Sequence, residues 1–503
     1  MDVLGLTSLL AELPTGRTRL LDNLGRIRRE AGPITPDLAD ALADHMNLRR
    51  GDVHEVASFY SFLQVPVDAV RVCTGPVCDC LGARELLARE PGAVEVPCLG
   101  HCDLAPVLLR ADTVEPALSH TTNEGPSLGL AGGDERVTLE PVATERIVAE
   151  LHASGLAGYG GAGFPAALKW EAVLSEPGPR VLAVNADEGE PGTIKDRYVL
   201  ELRPRLLVAA IALAAHAIDA AEIYVYIREE YGLARARLEA AIAEAGLTVE
   251  VVVGAGAYIA GEETAMLESM EGRRAMPRLR PPFPAQRGHL ARPTLIHNVE
   301  TLAHLPAILR LGGEAWAALG RRGTSGVRLW SISGAVRTPG CYEAPNGVTL
   351  RELVDEHAGG FDGEPGAIVP GGAASGILPP AALDAPLTRD GLAPYGAGVG
   401  SAGVQVFPAS YPPLRLLERT YAFFAEESCG KCTPCRIGNR ALHQLVDRLE
   451  HGEALLPRER LEEWLEAMER TSICGLGQAA PIPIRNAIRI WPRLFAPLET
   501  PVG

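Results

Sequence analysis

The sequence has no run of basic residues, and acidic side chains outnumber basic ones. It contains 63 Asp and Glu against 47 Lys and Arg, which gives a formal net charge of −16 at pH 7. Because nucleic acids are bound through clustered lysine and arginine, this composition argues against a nucleic-acid partner. The acidity by itself favours solubility and indicates no particular activity.

Long apolar runs are also lacking in the sequence. The alanine-rich stretch 206–218 is shorter than the roughly 20 residues that cross a bilayer. Arg203, Arg205 and Asp219 flank it. The amino terminus has neither the basic region nor the long apolar core of a secretory signal. We therefore expect no insertion into a membrane and a cytoplasmic location.

Lysine is scarce, since Lys169, Lys195 and Lys431 are the only lysines among the 47 basic residues. Arginine does not replace the compact ammonium group of lysine at a tight site. All three lysines lie in or beside the motifs described below. Their placement indicates local roles, with chance as the alternative.

Cysteine is present in quantity, and most of the ten cysteines fall into two groups with short spacings. In a chain without an export signal this pattern favours metal binding over disulfides. The first group comprises Cys73, Cys78, Cys98 and Cys102, on two loops that follow strand-like runs. Four thiolates placed in this way suit an iron or zinc site, and buried structural cysteines are the alternative.

The second group combines Cys429, Cys432 and Cys435, separated by two residues each, with the distant Cys474. Three cysteines at such gaps and a distant fourth predict a [4Fe–4S] site, with zinc as the second choice. Helices predicted around 442–449 and 458–469 would return the fourth cysteine to the other three.

Glycine is concentrated in a loop at 158–163, where four of six residues are glycine. Glycine lets the backbone approach a ligand closely and adopt positive φ. Because Pro165 favours the start of a helix, the loop would present free N–H groups to a phosphate. Such a loop alone is weak evidence, since many glycine-rich loops bind nothing.

Two further loops strengthen this prediction. Each follows an apolar run typical of a buried strand, and ligands bind at the ends of strands in parallel sheets. The alternative is a salt-bridged surface turn and an acidic helix start favoured by the helix dipole. Three such loops favour a shared ligand pocket. The polar residues are Asn185, Asp187, Glu188 and Glu190 after 181–184, and Glu262 and Glu263 after 249–253.

The length of the chain predicts several domains in an α/β arrangement. Residues up to about 63 have helical spacing, and alternating helix and strand patterns follow between about 204 and 253. That alternation predicts a parallel, Rossmann-like sheet, although the usual GxGxxG fingerprint is missing. We place domains at 1–110, 137–325, 326–410 and 411–503, with a linker at 111–136.

The motifs GYGGAGFP, NADEGEPGT, GAGAYIAGEE, PRLRPPFPA and HNVETL carry a resemblance to a known family. From about residue 155 onward the chain resembles the NADH-binding flavoprotein (diaphorase) subunit of complex I, NAD-dependent formate dehydrogenase and NAD-reducing hydrogenase. Residues 22–106 resemble the thioredoxin-like [2Fe–2S] subunit of complex I. The resemblance implies a thioredoxin-like ferredoxin domain, a Rossmann-like FMN domain, a ubiquitin-like β-rich domain and a C-terminal helical bundle with an iron–sulfur cluster.

The resemblance also assigns residues by their positions in these motifs. NAD(H) would lie against Phe164 and Phe283 and be oriented by Glu190, Glu263 and Arg280. The four N-terminal cysteines would hold a [2Fe–2S] cluster, and the four C-terminal ones a [4Fe–4S] cluster. FMN would be held by Gly158, Tyr159, Gly161, Lys169, Asn185, Asp187, Glu188, Gly261, Glu262, His297, Asn298 and Thr301.

Four features depart from the family pattern, and the segment 379–404 departs most. Tyr159 stands where the family usually has arginine, and His297 where it usually has asparagine. The 19 residues between Cys78 and Cys98 are fewer than usual, which predicts a trimmed N-terminal domain.

The expected function is therefore an NADH dehydrogenase module that works with a partner subunit. The first choice of partner is the molybdopterin subunit of a cytoplasmic NAD-dependent formate dehydrogenase, because fused diaphorase subunits occur there. An NAD-reducing hydrogenase is second, and the peripheral arm of complex I third. An alternative of another class is a zinc-stabilised interaction scaffold without redox activity.

Overall fold

The computed structural model describes residues 3–111, 113–116, 141–453 and 456–499. The predicted linker, 111–136, lies mostly outside these ranges. Its described part includes the strand Thr113–Pro116, which pairs with Val107–Arg110. The first sheet therefore extends beyond residue 110, where the sequence placed the end of the domain.

The N-terminal unit begins with helices, as the apolar spacing predicted. Pro36 lies in the first turn of the third helix, and the Thr35 side chain accepts a hydrogen bond from the backbone of Leu38. Leu24 and Leu42 are completely buried on the apolar faces of these helices. The helices are α1 (Val3–Ala11), α2 (Leu20–Ala31), α3 (Pro36–Met46) and α4 (Arg50–Phe59).

A small mixed sheet follows and has the thioredoxin-like arrangement. Its strand order is β2-β1-β3-β4, with β1 and β2 parallel and the other pairs antiparallel. Cys73 ends β1, Cys78 lies in the short helix after it, and Cys98 and Cys102 follow β2. The elements are β1 (Arg71–Cys73), α5 (Pro76–Cys80), α6 (Ala83–Arg89), β2 (Val94–Val96), β3 (Val107–Arg110) and β4 (Thr113–Pro116).

The central unit is built on four parallel strands in the order β7-β6-β5-β8. Residues 181–184 are buried because helices cover both faces of the sheet, which explains the continuous apolar run. The carboxyl ends of all four strands lie at one edge. The strands are β5 (Arg180–Ala186), β6 (Ala220–Ile227), β7 (Glu250–Val253) and β8 (Thr294–Asn298).

Ten helices accompany these strands in the described residues, and they include those expected from the alternating pattern between about 204 and 253. They are α7 (Thr144–Ser154), α8 (Ala166–Leu174), α9 (Lys195–Leu202), α10 (Pro204–Ala217), α11 (Gly232–Ala245), α12 (Glu263–Met270), α13 (Pro284–Arg287), α14 (Val299–Ala303), α15 (Leu305–Leu311) and α16 (Gly313–Ala317).

The third unit is the predicted small β-rich domain. Its sheet has the order β10-β9-β12-β11, in which β9 and β12 are parallel. A capping box between Thr349 and Glu352 starts its main helix. The elements are β9 (Val327–Gly334), β10 (Gly340–Pro345), α17 (Leu350–His357), β11 (Pro365–Val369), α18 (Arg389–Leu392) and β12 (Gly403–Pro408).

The C-terminal unit is helical, as predicted. Tyr421 donates a hydrogen bond to the carbonyl of Ala480 over 2.9 Å, which joins the first helix of the unit to the segment after Cys474. The helices are α19 (Pro413–Glu426), α20 (Thr433–Glu450), α21 (Arg458–Thr471), α22 (Gly475–Ala479) and α23 (Pro481–Ile490). None of the described helices in the chain is both long enough and apolar enough to cross a membrane.

The N-terminal unit packs directly on the central sheet. The backbone N–H groups of Ser61 and Phe62 donate to the carbonyls of Gly256 and Ala255 over 3.2 and 3.1 Å. Tyr60 donates to the Ser269 hydroxyl over 2.7 Å. These contacts bring the N-terminal cysteines close to the edge where the parallel strands end.

Candidate active site and metal centres

The second and third loops are bound to each other at the carboxyl edge of the sheet. Asn185 Nδ2 donates to the carbonyl of Gly261 over 2.8 Å, and Asn185 Oδ1 accepts the N–H of Asp187 over 3.1 Å. A Cβ on Gly261 would lie 2.8 Å from the Asp187 carbonyl, so this approach requires glycine. The two loops therefore form one rigid wall.

The glycine-rich loop folds back on itself beside that wall. The N–H of Gly158 donates to the carbonyl of Phe164 over 2.8 Å, and Gly163 donates back to Gly158 over 3.2 Å. Gly161 has a φ of +113° and would meet no atom within 4 Å if it carried a Cβ. The loop therefore needs glycine for its conformation and leaves an open outer face on which a ligand can lie.

One carboxylate oxygen at this edge fits a ligand that donates a hydrogen bond. Among the described residues, the buried Oδ2 atom of Asp187 has no hydrogen-bond partner. Burial raises the pKa of this carboxyl to about 8. Because an unpaired buried polar atom is costly, a bound group with an N–H or O–H at this position would stabilise the site. FMN carries both kinds of donor.

Three charged side chains form an ion-paired cluster between the loops. Lys169 Nζ lies 2.9 Å from Glu263, and Arg280 lies 3.0 Å from the other oxygen of the same carboxylate. Lys169 also donates to the carbonyl of Ile296 over 3.2 Å. Burial acts to raise the pKa of Glu263, but Lys169 and Arg280 outweigh it and hold that pKa below its usual value.

The other predicted acids accept hydrogen bonds from the protein itself. Glu188 accepts the N–H groups of Asp196 and Arg197 over 2.9 and 3.1 Å and thereby caps α9. Glu262 caps α12 in the same way, through the N–H groups of Thr264 and Ala265. These carboxylates position the helix starts that surround the site.

Glu190 lies apart from the Lys169–Glu263–Arg280 cluster. Its carboxylate accepts hydrogen bonds from the Tyr258 hydroxyl and from the N–H of Ala374, the latter over 3.0 Å. A Cβ on Gly372 would lie 2.4 Å from the Glu190 side chain, so the β-rich domain closes tightly over it. Glu190 therefore joins the second loop to the neighbouring domain.

Asn298 and Thr301 lie where β8 ends and α14 begins. Asn298 Oδ1 accepts hydrogen bonds from Lys195 Nζ over 3.2 Å and from the N–H of Thr301 over 3.4 Å. The Thr301 hydroxyl accepts the N–H of Tyr159 over 2.8 Å. This end of the sheet is therefore bound to the glycine-rich loop.

Lys195 is completely buried and ion-paired. Its ammonium group lies 2.7 Å from Asp196, 3.3 Å from Glu300 and 4.0 Å from Glu188. Burial acts to lower the pKa of Lys195, but the three carboxylates outweigh it and raise that pKa. The lysine therefore supplies a counter-charge to a buried acidic cluster beneath the site.

The side chains of Tyr159 and His297 point away from the open face of the loop. Tyr159 is 5% exposed and donates to the carbonyl of Val327 over 3.1 Å, and Asn346 donates to its hydroxyl over 2.9 Å. His297 accepts a hydrogen bond from Trp170 over 2.8 Å, and burial lowers its pKa to about 3, so it is neutral. Both side chains are therefore buried against other parts of the protein and do not line the open face of the loop.

Two aromatic rings are exposed at the mouth of the site. Phe164 is 49% exposed on the glycine-rich loop, and Phe283 is 52% exposed on the segment before α13. Rings of this size are normally buried, and exposed ones mark surfaces that bind ligands or partners. Their exposure fits the stacking role implied for a nicotinamide nucleotide.

The four C-terminal cysteines line a single small pocket. Ser428 and Asn439 lie 3.3 Å from the sulfur of Cys435, and Lys431 is held by the carbonyl of Pro277. Ile259 of the third loop lines the same pocket. Four thiols that converge on one pocket fit a [4Fe–4S] cluster next to the ligand edge. The cysteines are Cys429, Cys432, Cys435 and Cys474.

The four N-terminal cysteines are buried close to one another. The Cys73 sulfur lies within hydrogen-bonding reach of Cys78 and Cys98, and the Cys98 sulfur within reach of Cys102. The N–H of Gly192, in the second loop of the central unit, donates to the Cys102 sulfur over 3.4 Å. Four thiols that meet in this way fit a small iron–sulfur cluster.

Sequence reasoning missed the segment that follows β6. Arg228 and Tyr231 contact the loop of Cys98 and Gly100, and Glu229 pairs with Arg28 of the N-terminal unit over 2.6 Å. Charged residues directly after a predicted parallel strand were the available signal. It is the same signal that identified the second loop.

Known protein families match four parts of the chain. The Nuo51 FMN-binding domain matches residues 151–307, and the NADH-ubiquinone oxidoreductase-F iron-sulfur binding region matches 415–497. The thioredoxin-like [2Fe-2S] ferredoxin matches 6–124, and the SLBB domain 331–373. The predicted fold class and cofactors are confirmed, with the β-rich domain matched as an SLBB domain.

Two individual proteins of the same kind are similar in sequence to this chain. An NADH-quinone oxidoreductase chain of Rhizobium meliloti is 43% identical over 76% of this chain and 95% of its own length. The mitochondrial NADH dehydrogenase [ubiquinone] flavoprotein 1 of Dictyostelium discoideum is 42% identical over 68% of this chain and 76% of its own length.

A solved structure covers the N-terminal unit as well. The crystal structure of NAD+-reducing [NiFe]-hydrogenase in the air-oxidized state aligns with a TM-score of 0.87 and 32% identity, over 98% of this chain and 95% of the other. The chain therefore belongs to the family of NADH dehydrogenase flavoprotein subunits, with FMN-binding, [4Fe–4S] and thioredoxin-like [2Fe–2S] domains.

Proposed function

We propose that the chain is the diaphorase (beta) subunit of a cytoplasmic NAD-dependent formate dehydrogenase whose partner subunit carries molybdenum or tungsten. The diaphorase function is supported by the three loops that meet at the carboxyl edge of the parallel sheet, beside the cysteine-lined cavity. When bound there, FMN would supply hydride exchange with NAD(H) and single-electron transfer to the iron–sulfur clusters. The chain itself binds, orients and shields the reactants.

The FMN site in this proposal is formed mainly by backbone and by short polar side chains. The glycine-rich loop offers N–H groups and close approach, and Asp187 offers its unpaired oxygen. Glu188 and Glu262 act by fixing the starts of α9 and α12. Tyr159 contributes its backbone. The remaining residues are Gly158, Gly161, Lys169, Asn185, Gly261, Asn298 and Thr301, with His297 supporting Trp170 from behind.

A substitution of Tyr159 tests whether this residue contributes only its backbone to the FMN site. Replacing Tyr159 with phenylalanine removes its hydrogen bonds to Val327 and Asn346, so we expect a loss of about 1 kcal/mol in stability and unchanged FMN affinity. Thr301→Val is the matched variant, because it removes the acceptor for the Tyr159 backbone and is expected to weaken FMN binding. Fluorescence titration of the apoprotein with FMN measures the FMN affinity of both variants. Weakened FMN binding in Tyr159→Phe would show that the Tyr159 side chain contributes to the FMN site.

The NAD(H) site would lie between the exposed rings of Phe164 and Phe283 and the pair formed by Glu263 and Arg280. Glu190 supports it from the interface with the β-rich domain. If the adenosine ribose of the bound nucleotide faces Glu263, this carboxylate opposes the additional 2′-phosphate of NADPH by like-charge repulsion. We therefore expect a preference for NADH.

Replacing Glu263 with glutamine is expected to narrow that preference several-fold, because a like-charge repulsion of about 1 kcal/mol or more is removed. The ratio of kcat/KM for NADH to that for NADPH, with an artificial acceptor, measures the change. Glu171→Gln is the control, since Glu171 is an exposed carboxylate of α8 that is paired with His152. A wild-type enzyme that prefers NADPH would contradict the proposed role of Glu263.

Three kinds of complex could contain this diaphorase subunit, and we rank them in order. Formate dehydrogenase is the first choice, because the chain resembles the fused diaphorase subunits that occur in this class of enzyme. A second candidate is the diaphorase subunit of an NAD-reducing hydrogenase, favoured by the alignment over 98% of the chain with such an enzyme. The peripheral arm of complex I is third, because its two parts are usually on separate chains.

The complex isolated from its source with this chain as bait tests the proposal. We expect release of FMN on denaturation and NAD+ reduction that depends on formate. Reduction that depends on hydrogen instead would assign the chain to the second candidate. Recovery of FAD, or a colourless zinc protein that does not oxidise NADH, would overturn the diaphorase function itself.

A further inference from the structure

Arg228 connects the two cofactor regions through a single buried guanidinium. It follows β6 and is 7% exposed. Its Nη2 donates to the carbonyl of Cys98 over 2.8 Å, and its Nη1 donates to the carbonyl of Glu188. One carbonyl belongs to an N-terminal cysteine, and the other to the second loop of the central unit. The side chain thus holds both loops in one arrangement.

Neighbouring contacts reinforce this connection. Tyr231, three residues along the chain, donates to Glu188 over 3.0 Å and packs beneath the guanidinium, 5.3 Å from ring centre to Cζ. A Cβ on Gly100 would lie 2.6 Å from the Tyr231 hydroxyl, so the cysteine loop is pressed against this segment. The arrangement leaves little freedom for the Cys98 loop to move.

Acidic side chains outnumber basic ones around Arg228. Asp187, Glu230 and Glu427 line the same polar cavity as Cys98, and Arg228 is its one lining cation among the described residues. Glu230 is ion-paired with Arg228, and its second oxygen has no hydrogen-bond partner among the described residues. The guanidinium therefore compensates negative charge directly beside the N-terminal cysteines.

Reduction adds an electron to an iron–sulfur cluster, so nearby charge changes its potential. Hydrogen bonds and charges outside the ligand set are known to tune metal sites. A buried cation at the Cys98 carbonyl favours the reduced form. Without it, the Glu230 carboxylate that pairs with it would oppose reduction.

We propose that Arg228 is a positioning residue of the N-terminal iron–sulfur centre, which fixes the Cys98 loop to the Glu188 loop and raises the reduction potential of that centre. The proposal takes the four N-terminal cysteines as the ligands, as in the function proposed above. Glu230 then has the opposite effect, because it offsets the charge of Arg228.

The experiment is a redox titration of the full-length, cluster-loaded protein, followed by the EPR signal of the [2Fe–2S] cluster. Arg228→Met is expected to lower the equilibrium constant for reduction at least tenfold, a shift of about 59 mV to lower potential. Glu230→Gln is expected to shift the potential upward. The double variant Arg228→Met/Glu230→Met is expected to lie between wild type and Arg228→Met, because it removes both charges.

Arg28→Met is the matched control. Arg28 is also a buried arginine at the interface of the two units, and it pairs with Glu229 and the carbonyl of Val65. It touches no cysteine loop in these contacts, so we expect its loss to weaken the interface without shifting the potential. A shift equal to that of Arg228→Met would mean that loosening of the interface, and not charge, causes the effect.

The remaining outcomes are equally decisive. An unchanged potential in cluster-loaded Arg228→Met, or equal shifts in the single and double variants, would overturn the proposal. If Arg228→Met does not retain the cluster, the test rests on Glu230→Gln. An unchanged reduction potential in Glu230→Gln would then contradict the proposal. A wild-type protein with FMN but without a [2Fe–2S] signal would overturn both this inference and the N-terminal centre on which it rests.

Discussion

Replacing Cys432 with serine is expected to reduce electron transfer between NADH and the partner subunit to the level of cluster-free protein. Cys432 lines one pocket together with the three other C-terminal cysteines. Serine oxygen is a poor substitute for a thiolate ligand of an iron–sulfur cluster, so the cluster would be lost or altered. Reduction of FMN by NADH should continue, because the three loops do not depend on this side chain.

Stopped-flow absorbance of the flavin and turnover of the complex with its partner's substrate measure the two steps separately. Cys98→Ser is the matched variant in the other cysteine group. We expect it to lose the [2Fe–2S] signal and keep most of the partner-coupled turnover, because the N-terminal centre would be a side branch that stores one electron. If Cys98→Ser stops coupled turnover in a folded, FMN-loaded protein while Cys432→Ser does not, the two branches are assigned in the wrong order.

Replacing Lys195 with methionine is expected to destabilise the protein by about 3–5 kcal/mol, because it leaves buried carboxylates without a counter-charge. The ammonium group lies within 4.0 Å of Asp196, Glu188 and Glu300, and it also donates to Asn298 at the end of β8. The loss should therefore also loosen the edge of the sheet to which the glycine-rich loop is attached.

Urea unfolding monitored by the release of flavin fluorescence measures this effect. Arg470→Met is the control, because Arg470 forms an exposed ion pair with Glu466, which typically contributes about 1 kcal/mol or less. The double variant Lys195→Met/Asp196→Asn should recover part of the stability, since it removes one uncompensated charge. A Lys195→Met protein as stable as the Arg470→Met control would show that the buried cluster does not need the lysine.

Much of the architecture could be predicted because its signals are local. The apolar run 181–184 with Asn185 after it predicted a buried strand that ends at a polar edge, and β5 is that strand. Cysteine spacing predicted the C-terminal cavity, because Cys429 and Cys435 flank the start of α20. A strand, a cap or a cysteine motif is determined by residues within a few positions of one another.

Side-chain roles at the site were predicted less completely. Glu188 and Glu262 follow strands as expected, yet they cap helices and do not project freely into the pocket. Tyr159 lies in the glycine-rich loop, but its hydroxyl is bound to Val327 and Asn346 of the next domain. Local sequence indicates the polarity of a loop, but it does not indicate the direction of each side chain.

By itself, the sequence determined the order of the domains, the strands with polar carboxyl ends and the two cysteine groups. The tertiary structure decided which distant groups satisfy each buried polar atom. The Tyr159 hydroxyl is paired with Asn346, 187 positions away, and Arg228 with the carbonyl of Cys98, 130 positions away. Buried donors, acceptors and charges must find partners wherever the fold brings them, and periodicity carries no information about contacts at that separation.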